Sequence, residues 1–399
     1  MIIRIIEFFW NVFGFGLRII GNYCPKNKDL VLFGALNGQY YGDNAKYLFE
    51  WMVTNDKKIQ VVWITRNKEV LRQLRAANQP VVMANSLQGF WLLCRANAAV
   101  FTNSFRDFSL FDQAVPDSIK LLALRHGRSV KRVRFARKSH KLDVRETAQR
   151  TREGRLIKYA ISTSEFISDI QEECLQIGRE KHVVTGYPRN DYLFTAPKEP
   201  VLSLAPLFDM NKKVILYGPS WRHGRNPTKF FPFHDFDEVQ LLGFLRQHNY
   251  LLLLRPHVND LKKYSSTRQF LQQLAHHHDC IRLATHDQVA DVNTLLPYID
   301  LLISDYSALY HDYLLLDRPV VLIPYDYDEF GQQNGFLYDY YNNLPGPAIT
   351  TFDQFCHYLI RLSNGEDPHQ NQRRKLCKNV HTFQDGQSCL RVSKLLYEI

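Results

Sequence analysis

The stretch DLLISDYSALYHDYLLLDRPVVLIPYDYDEF, residues 300–330, reads as strand, tight turn, helix, strand. Asp300 to Ser304 is a short apolar strand, and Asp305 and Ser307 are residue types that cap helix N-termini. Ala308 to Leu316 has apolar residues at helical spacing, and Arg318-Pro319 stops that helix before the buried-looking strand VVLIPY. A helix that starts directly after a strand points free N–H groups and its positive dipole end at the sheet's carboxyl edge. Such a place suits an anion, phosphate above all. An ordinary capped βαβ unit fits the same letters.

Working outward, the same alternation recurs. Upstream in this half come VILYGPSW, the helix FDEVQLLGFLRQHN, YLLLLRPH, a helix over 267–277, CIRLAT and the short helix VNTLLPY. The first half runs LVLFGA, a Gly/Asn-rich turn, a helix from Asp43 or Asn44, IQVVWIT, a helix around 69–76, PVVMA, a helix near 87–96, AAVFTN and SIKLLAL. A basic segment over 125–158 follows, then YAISTS, the helix EFISDIQEECLQIG and HVVTGYPRNDYLF. Strands alternating with helices of this length predict parallel sheets. The proline-containing, aperiodic TAPKEPVLSLAPLFDMNKK reads as a linker. The fold class is therefore α/β, with two Rossmann-like domains, 29–195 and 196–399, facing one another across a cleft.

At 399 residues the chain exceeds one ordinary core, which agrees with two domains. A net charge of +10 implies a polyanionic partner: nucleic acid, an anionic membrane face or phosphate-rich substrates. Seven scattered cysteines without metal-ligand spacing point to reduced thiols, and the His276–His278 run lacks a partner set, so it reads as a solvated helix end rather than a metal site. Residues 1–28 open with MIIRIIEFFWNVFGFGLRII, whose Arg4, Glu7 and Arg18 leave no uncharged span of membrane length. Helical spacing gathers Ile2, Ile5, Ile6, Phe9, Val12 and Phe13 on one side, beside Trp10. This predicts an amphipathic helix lying on a membrane surface, with packing against the protein's own body as the alternative.

Five polar clusters fall at predicted strand ends, where open α/β sheets bind ligands. They are Arg125-His126-Gly127 with Lys131 and Arg132 beyond, Gly186 to Asp191, Gly218 to Arg222, Arg255-Pro256-His257, and Ser304 to Ser307. A histidine after a strand is more often structural than catalytic, but five clusters on carboxyl ends are harder to dismiss. No P-loop, GxGxxG helix start, GxSxG elbow or HExxH is present. Two histidines, several arginines and a helix start suit transfer of a phosphorus- or sugar-linked group from a nucleotide carrier.

The motifs LFGALNGQYYGDN, LRHGRSVKR, GYPRND, YGPSWR, RPH and SDYSALYHD, with PYDYDEF and LPGP after them, stand in one order from residue 30 onward. In that order the chain resembles the CDP-glycerol glycerophosphotransferase family of teichoic-acid primases, polymerases and capsule-building relatives. The resemblance implies a GT-B-type fold in which the C-terminal domain binds a CDP-alcohol and the acceptor approaches from the N-terminal side. An alditol phosphate, glycerol phosphate first, would pass to an acceptor hydroxyl with release of CMP. By similarity His126 matches the proposed general base, and His257 with Ser304, Asp305, Tyr306 and Ser307 the donor pyrophosphate site. Pro219, Ser220 and Arg222 complete the donor side, and Lys131, Arg132, Arg189 and Asn190 are expected on acceptor or phosphate groups.

Residue chemistry fits those roles. A hydroxyl attacking phosphorus needs a base near neutrality, where imidazoles ionise (about 6.5). Arg189 and Arg222 offer forked contacts to phosphate, or to carboxylates of the fold itself. The family's Trp before His-Gly is Arg125 here, its Thr-Pro is Arg128-Ser129, and the second Ser of its D-Y-S-S turn is Ala308. The basic flank implies an anionic or lipid-linked acceptor. The expected location is the cytoplasmic face of a bacterial cell membrane, held peripherally, without nucleic acid, since the basic stretch has few aromatics, and without a cofactor, a divalent cation being left open because no motif marks a site for one. The alternatives are a nucleotide-sugar glycosyltransferase and a non-catalytic membrane or polyanion binder.

Overall fold

A computed structural model describes residues 2–399 except 128–129, 138–141, 223–225 and 278, with backbone alone for 2–11; Arg128, Ser129 and His278 thus lie outside the described residues. The first half builds a seven-stranded parallel sheet. Its strands are β1 (Asn27–Phe33), β2 (Gln60–Thr65), β3 (Val81–Met83), β4 (Ala96–Phe101), β5 (Lys120–Ala123), β6 (Ile157–Ser162) and β7 (His182–Val184), in the order β3-β2-β1-β4-β5-β6-β7. The second half builds a five-stranded parallel sheet of β8 (Lys213–Tyr217), β9 (Tyr250–Leu254), β10 (Ile281–Leu283), β11 (Leu301–Ser304) and β12 (Val320–Leu322), in the order β10-β9-β8-β11-β12. Strands such as YLLLL and LLIS are buried along their whole length because helices cover both faces of a parallel sheet.

Strand order reverses between β1 and β4 and between β8 and β11. Crevices at such reversals, outside the carboxyl ends, are where ligands enter this architecture. Register aligns the exits: Phe33 pairs with Val100 on one side, and Tyr217 pairs with Leu254 and Ile303 on the other. The turns carrying chemistry therefore leave each sheet at a common edge.

The two halves share an apolar core. Val130, Ile167, Ile170 and Leu193 from the first half join Leu216, Tyr306, Tyr310 and Leu314 in one buried cluster. The last helix, Ser388–Tyr397, does not stay with the second half. Cys389, Val392, Leu395 and Leu396 pack into the core beneath β1, β2 and β4, so the boundary expected at 195/196 separates the sheets but not the whole chain. Within the basic segment a helix forms over Val144–Leu156, capped by Asp143 through the Glu146 N–H. The helix expected over 308–316 shrinks to Leu309–Tyr313 followed by a 3-10 turn, Leu314–Leu316. So short a helix has little macrodipole to offer an anion.

The N-terminal helix spans Ile2–Tyr23. Gly14 and Gly21, two turns apart on one face, let it sit close against Phe111, Gln113 and Pro116, and Arg18 reaches Asp117 at 3.7 Å. Val12, Phe13, Phe15, Ile19, Ile20 and Tyr23 stay exposed, with Leu87 and Trp91 of the neighbouring helix Leu87–Arg95. Among the described residues no helix is long and apolar enough to cross a membrane.

Candidate active site

The turn after β5 presents His126. Its Nδ1 lies 2.5 Å from Asp43 Oδ2, and the Asp43 side chain is 4% exposed against 66% for the imidazole. Asp43 begins the helix Asp43–Asn55 with φ of +58°, a left-handed conformation that Asp and Asn tolerate better than other side chains. Burial alone would raise the Asp43 pKa, but His126 and Arg189 beside it hold the carboxyl well below its usual range. An ionised acceptor at Nδ1 fixes the proton there and leaves Nε2 as the basic nitrogen of an exposed ring.

Asn44 secures the frame. Its Nδ2 donates to the carbonyls of Leu124 and Arg125, and its Oδ1 accepts the Arg189 N–H. Gly127, at φ +75°, must be glycine for a second reason: a Cβ there would overlap the Arg189 guanidinium.

Arg189 does not face a ligand. Its Nη1 donates to Asp43 Oδ1 at 2.7 Å, and its Nε and Nη2 grip Asp312 Oδ2 at 2.9 and 2.7 Å. Asp312 belongs to the helix that follows the Ser304–Ser307 turn, so the base-bearing turn of one half is tied to the donor-side helix of the other. Two further residues of GYPRND serve the fold. Gly186 (φ +80°) passes against Ser388, and Asp191 caps the last helix through the Ser388 and Cys389 N–H groups. Asn190 is buried, and its side-chain amide has no hydrogen-bond partner among the described residues.

Across the cleft, Asp305 Oδ1 accepts from the N–H groups of Ser220 and Tyr306, and its Oδ2 takes Arg222 Nη1 at 2.6 Å. Arg222 also forks onto Asp326 at 2.7 and 3.0 Å, under the rings of Tyr306, Tyr325 and Phe330. Burial disfavours both guanidinium charges, yet Asp312 on Arg189 and Asp305 on Arg222 raise their pKa above the ordinary arginine value. Of the two roles expected for these arginines, forks to phosphate or to carboxylates of the fold, both guanidiniums take the second, and Arg222 and Asp305 weld the β8 and β11 turns together. Pro219 is buried in that weld, and Ser304 Oγ donates to the Gly218 carbonyl. Ser307 Oγ accepts the Leu309 N–H, which leaves its own hydroxyl hydrogen for another acceptor.

His257 lies at the carboxyl end of β9, stacked on Trp221 at 5.2 Å and 8°. Its Nδ1 accepts the Asn259 N–H, so the neutral ring carries its proton on Nε2, as a donor. Burial, with Lys131, His286 and Arg255 around it, lowers its pKa to about 4.

Lys131 comes from the first half but reaches this side. Val130–Arg132 pairs antiparallel with Gly335–Leu337: Arg132 N–H donates to Gly335 O, and Leu337 N–H to Val130 O. Burial brings the Lys131 pKa down to about 8, opposed by Asp305 nearby. Arg132, expected on phosphate, is spent on Glu173 and the Phe336 carbonyl, as an interdomain tether.

Sequence reasoning missed Asp43, Asn44, Asp312 and Asp326. The Asp-Asn pair stood in a quoted motif but read as a helix start, and Asp312 read as helix interior.

The sequence pattern of the CDP-Glycerol:Poly(glycerophosphate) glycerophosphotransferase family matches residues 19–398. The teichoic acid glycerol-phosphate transferase of Staphylococcus aureus (strain NCTC 8325 / PS 47) is 24% identical over 383 residues, 93% of this chain and 94% of that one. The teichoic acid poly(glycerol phosphate) polymerase of Bacillus spizizenii (strain ATCC 23059 / NRRL B-14472 / W23) is 25% identical over 390 residues, 94% and 91% of the two chains. The solved structure of the wall teichoic acid polymerase TagF shares the fold, with a TM-score of 0.75 at 20% identity over 99% of this chain and 96% of that one.

Proposed function

The chain belongs to the CDP-glycerol:poly(glycerophosphate) glycerophosphotransferase family, and on that footing we propose that it moves glycerol phosphate from CDP-glycerol to a hydroxyl of a membrane-linked or polymer acceptor in cell-surface polymer synthesis. The observation that carries the reading is the chain His126–Asp43–Arg189–Asp312, which fixes a base on one half against the donor-side helix of the other. Relatives that make teichoic acid agree with it.

In this reaction His126 Nε2 takes the proton of the acceptor hydroxyl as its oxygen attacks the glycerol-bearing phosphorus. The bond from that phosphorus to the bridging oxygen breaks, and CMP leaves with the electron pair. His257 Nε2–H, the Ser307 hydroxyl and the Lys131 ammonium supply donors where charge grows on the departing phosphate. Lys131 arrives from the N-terminal half, so the donor pocket draws on both domains. Arg222, Asp305 and Asp326 act one step back, by holding the turns.

The enzyme works at a membrane surface, on the cytoplasmic face, held there peripherally. Exposed Val12, Phe15, Ile19, Ile20, Leu87 and Trp91 offer the apolar side, and the net charge of +10 supports attraction to anionic lipid at about 1 kcal/mol per basic residue close to the surface.

The test is release of CMP from CDP-glycerol or CDP-ribitol by purified protein with an acceptor present. Consumption of a UDP- or GDP-sugar, with both CDP-alcohols untouched, would replace this reading by sugar transfer. Full function in His126→Ala would replace it by a non-catalytic binder.

A further inference from the structure

The end of the N-terminal helix rests directly on the body of the protein. A Cβ on Gly21 would lie 2.5 Å from Pro116 Cγ and 3.4 Å from Cys94 Sγ. Asn22 Oδ1 accepts the Asp117 N–H at 2.7 Å. The Cys24 N–H donates to the Ile20 carbonyl at 3.1 Å, which carries the helical path one residue beyond Tyr23. Positions three apart share a helix face, with Cβ atoms about 5–6 Å from one another. Cys24 therefore stands one turn past Gly21 on the side that meets Cys94, and the two thiols are hydrogen-bonding neighbours.

The two sulfurs differ in their surroundings. Cys24 is half-buried, whereas the other six cysteines are buried, so a dissolved reagent meets Cys24 first. Lys26, just beyond, donates from Nζ to the Cys94 carbonyl at 2.8 Å and holds the chain against that helix. Burial, with Cys24 beside it, pushes the Cys94 thiol up to about 12, against the pull of Lys26. A buried cysteine ordinarily packs as a small apolar group. Cys94 instead faces a second thiol from another element. Its own helix, Leu87–Arg95, and the N-terminal helix carry the exposed side chains Val12, Ile19, Ile20, Leu87 and Trp91. A covalent link between Cys24 and Cys94 would hold the two parts of that apolar face together.

We propose that Cys24 and Cys94 form a dithiol modification site, which closes to a reversible disulfide and staples the N-terminal helix to the helix Leu87–Arg95. The co-reactant is a low-molecular-weight disulfide. The Cys24 thiolate attacks one of its sulfurs, and the first small thiolate leaves. Cys94, deprotonated as it attacks, then displaces the second small thiolate from the Cys24 sulfur and closes the bond. The two cysteine protons end on the two released thiols; the reagent gains two electrons and the cysteine pair loses them. Because burial keeps Cys94 protonated, closure is the slower step. Where a reducing thiol pool prevails, the pair remains two thiols. The site is independent of the transfer reading.

The experiment treats the full chain with oxidised glutathione, blocks the remaining thiols by alkylation and maps the peptides by mass spectrometry. A peptide pair joined through Cys24 and Cys94 should appear, lighter by two hydrogens than its parts, and should vanish on adding dithiothreitol. In Cys94→Ala the exchange should stop at Cys24, which keeps one glutathione. In Cys24→Ser the Cys94 thiol should stay unmodified, and thermal unfolding reports the folding of each variant. Amide hydrogen exchange across residues 12–23 should slow about 10-fold in the oxidised wild type, because the helix can no longer open away from the body. Wild-type protein left unmodified, or holding glutathione on Cys24 without closing, would overturn the site. So would a link from Cys24 to another cysteine or to a second copy of the chain. A Cys24–Cys94 link that leaves exchange over 12–23 unchanged would overturn the staple.

Discussion

Asp43 Oδ2 stands 2.5 Å from His126 Nδ1, a buried carboxylate against an exposed imidazole. The pairing sets which ring nitrogen is basic, and it makes a residue 83 positions upstream answerable for the base. Asp43→Asn keeps the left-handed backbone and removes only the charge. CMP release from CDP-glycerol should fall about 10²-fold or more in kcat, with donor KM nearly unchanged. His126→Ala should fall comparably, and the double variant little further, since residues acting as a unit are not additive.

Arg189 shares Asp43 with His126 and binds Asp312 on the other half. Arg189→Met leaves two buried carboxylates without their cation. Unfolding in urea should show a loss of about 3–5 kcal/mol. The same network has a pH signature. The folded Asp43 pKa is depressed, so its stabilisation is present above the unfolded value, about 3.9, and is lost as pH falls below it. Asp43→Asn should flatten the acid limb of the wild-type stability curve.

Lys131, with a pKa of about 8, is charged below that pH and neutral above it. Donor KM should therefore rise as pH passes upward through about 8, and Lys131→Met should show a high KM without that limb. His257, at about 4, stays neutral across the physiological range and contributes no limb there. His257→Ala should raise donor KM about 10-fold through loss of one Nε2–H donor to a charged group.

Gly127→Ala adds one methyl group where the backbone is left-handed and Arg189 lies in the way. It should cost about 1–3 kcal/mol. Because the clash falls on the guanidinium that also holds Asp43, kcat should drop with stability, measured by CMP release and thermal unfolding.

The exposed apolar side of the first helix continues onto the helix Leu87–Arg95. Deleting residues 1–24 should abolish sedimentation with anionic liposomes, and Trp91→Glu should weaken it. CMP release toward a soluble acceptor should persist in Trp91→Glu. Unchanged liposome binding in both proteins would assign that face another role.

The sequence by itself determined the two α/β series, the linker and the strand-end position of His126, His257 and Ser304–Ser307, because apolar periodicity and turn residues are local properties. It also carried GYPRND, YGPSWR and SDYS in family order. Tertiary structure decided what those letters do. Arg189 and Arg222 read as forks to phosphate or to carboxylates of the fold, and folding decided for the second by bringing Asp312 and Asp305, 123 and 83 residues away, within 3 Å of them. Lys131 moved to the donor side because Val130–Arg132 pairs with Gly335–Leu337, and the last helix returned to the first sheet because Asp191 caps it. A side chain's charge is written in the sequence, but its partner is chosen by burial, where an unmatched charge is too costly to leave.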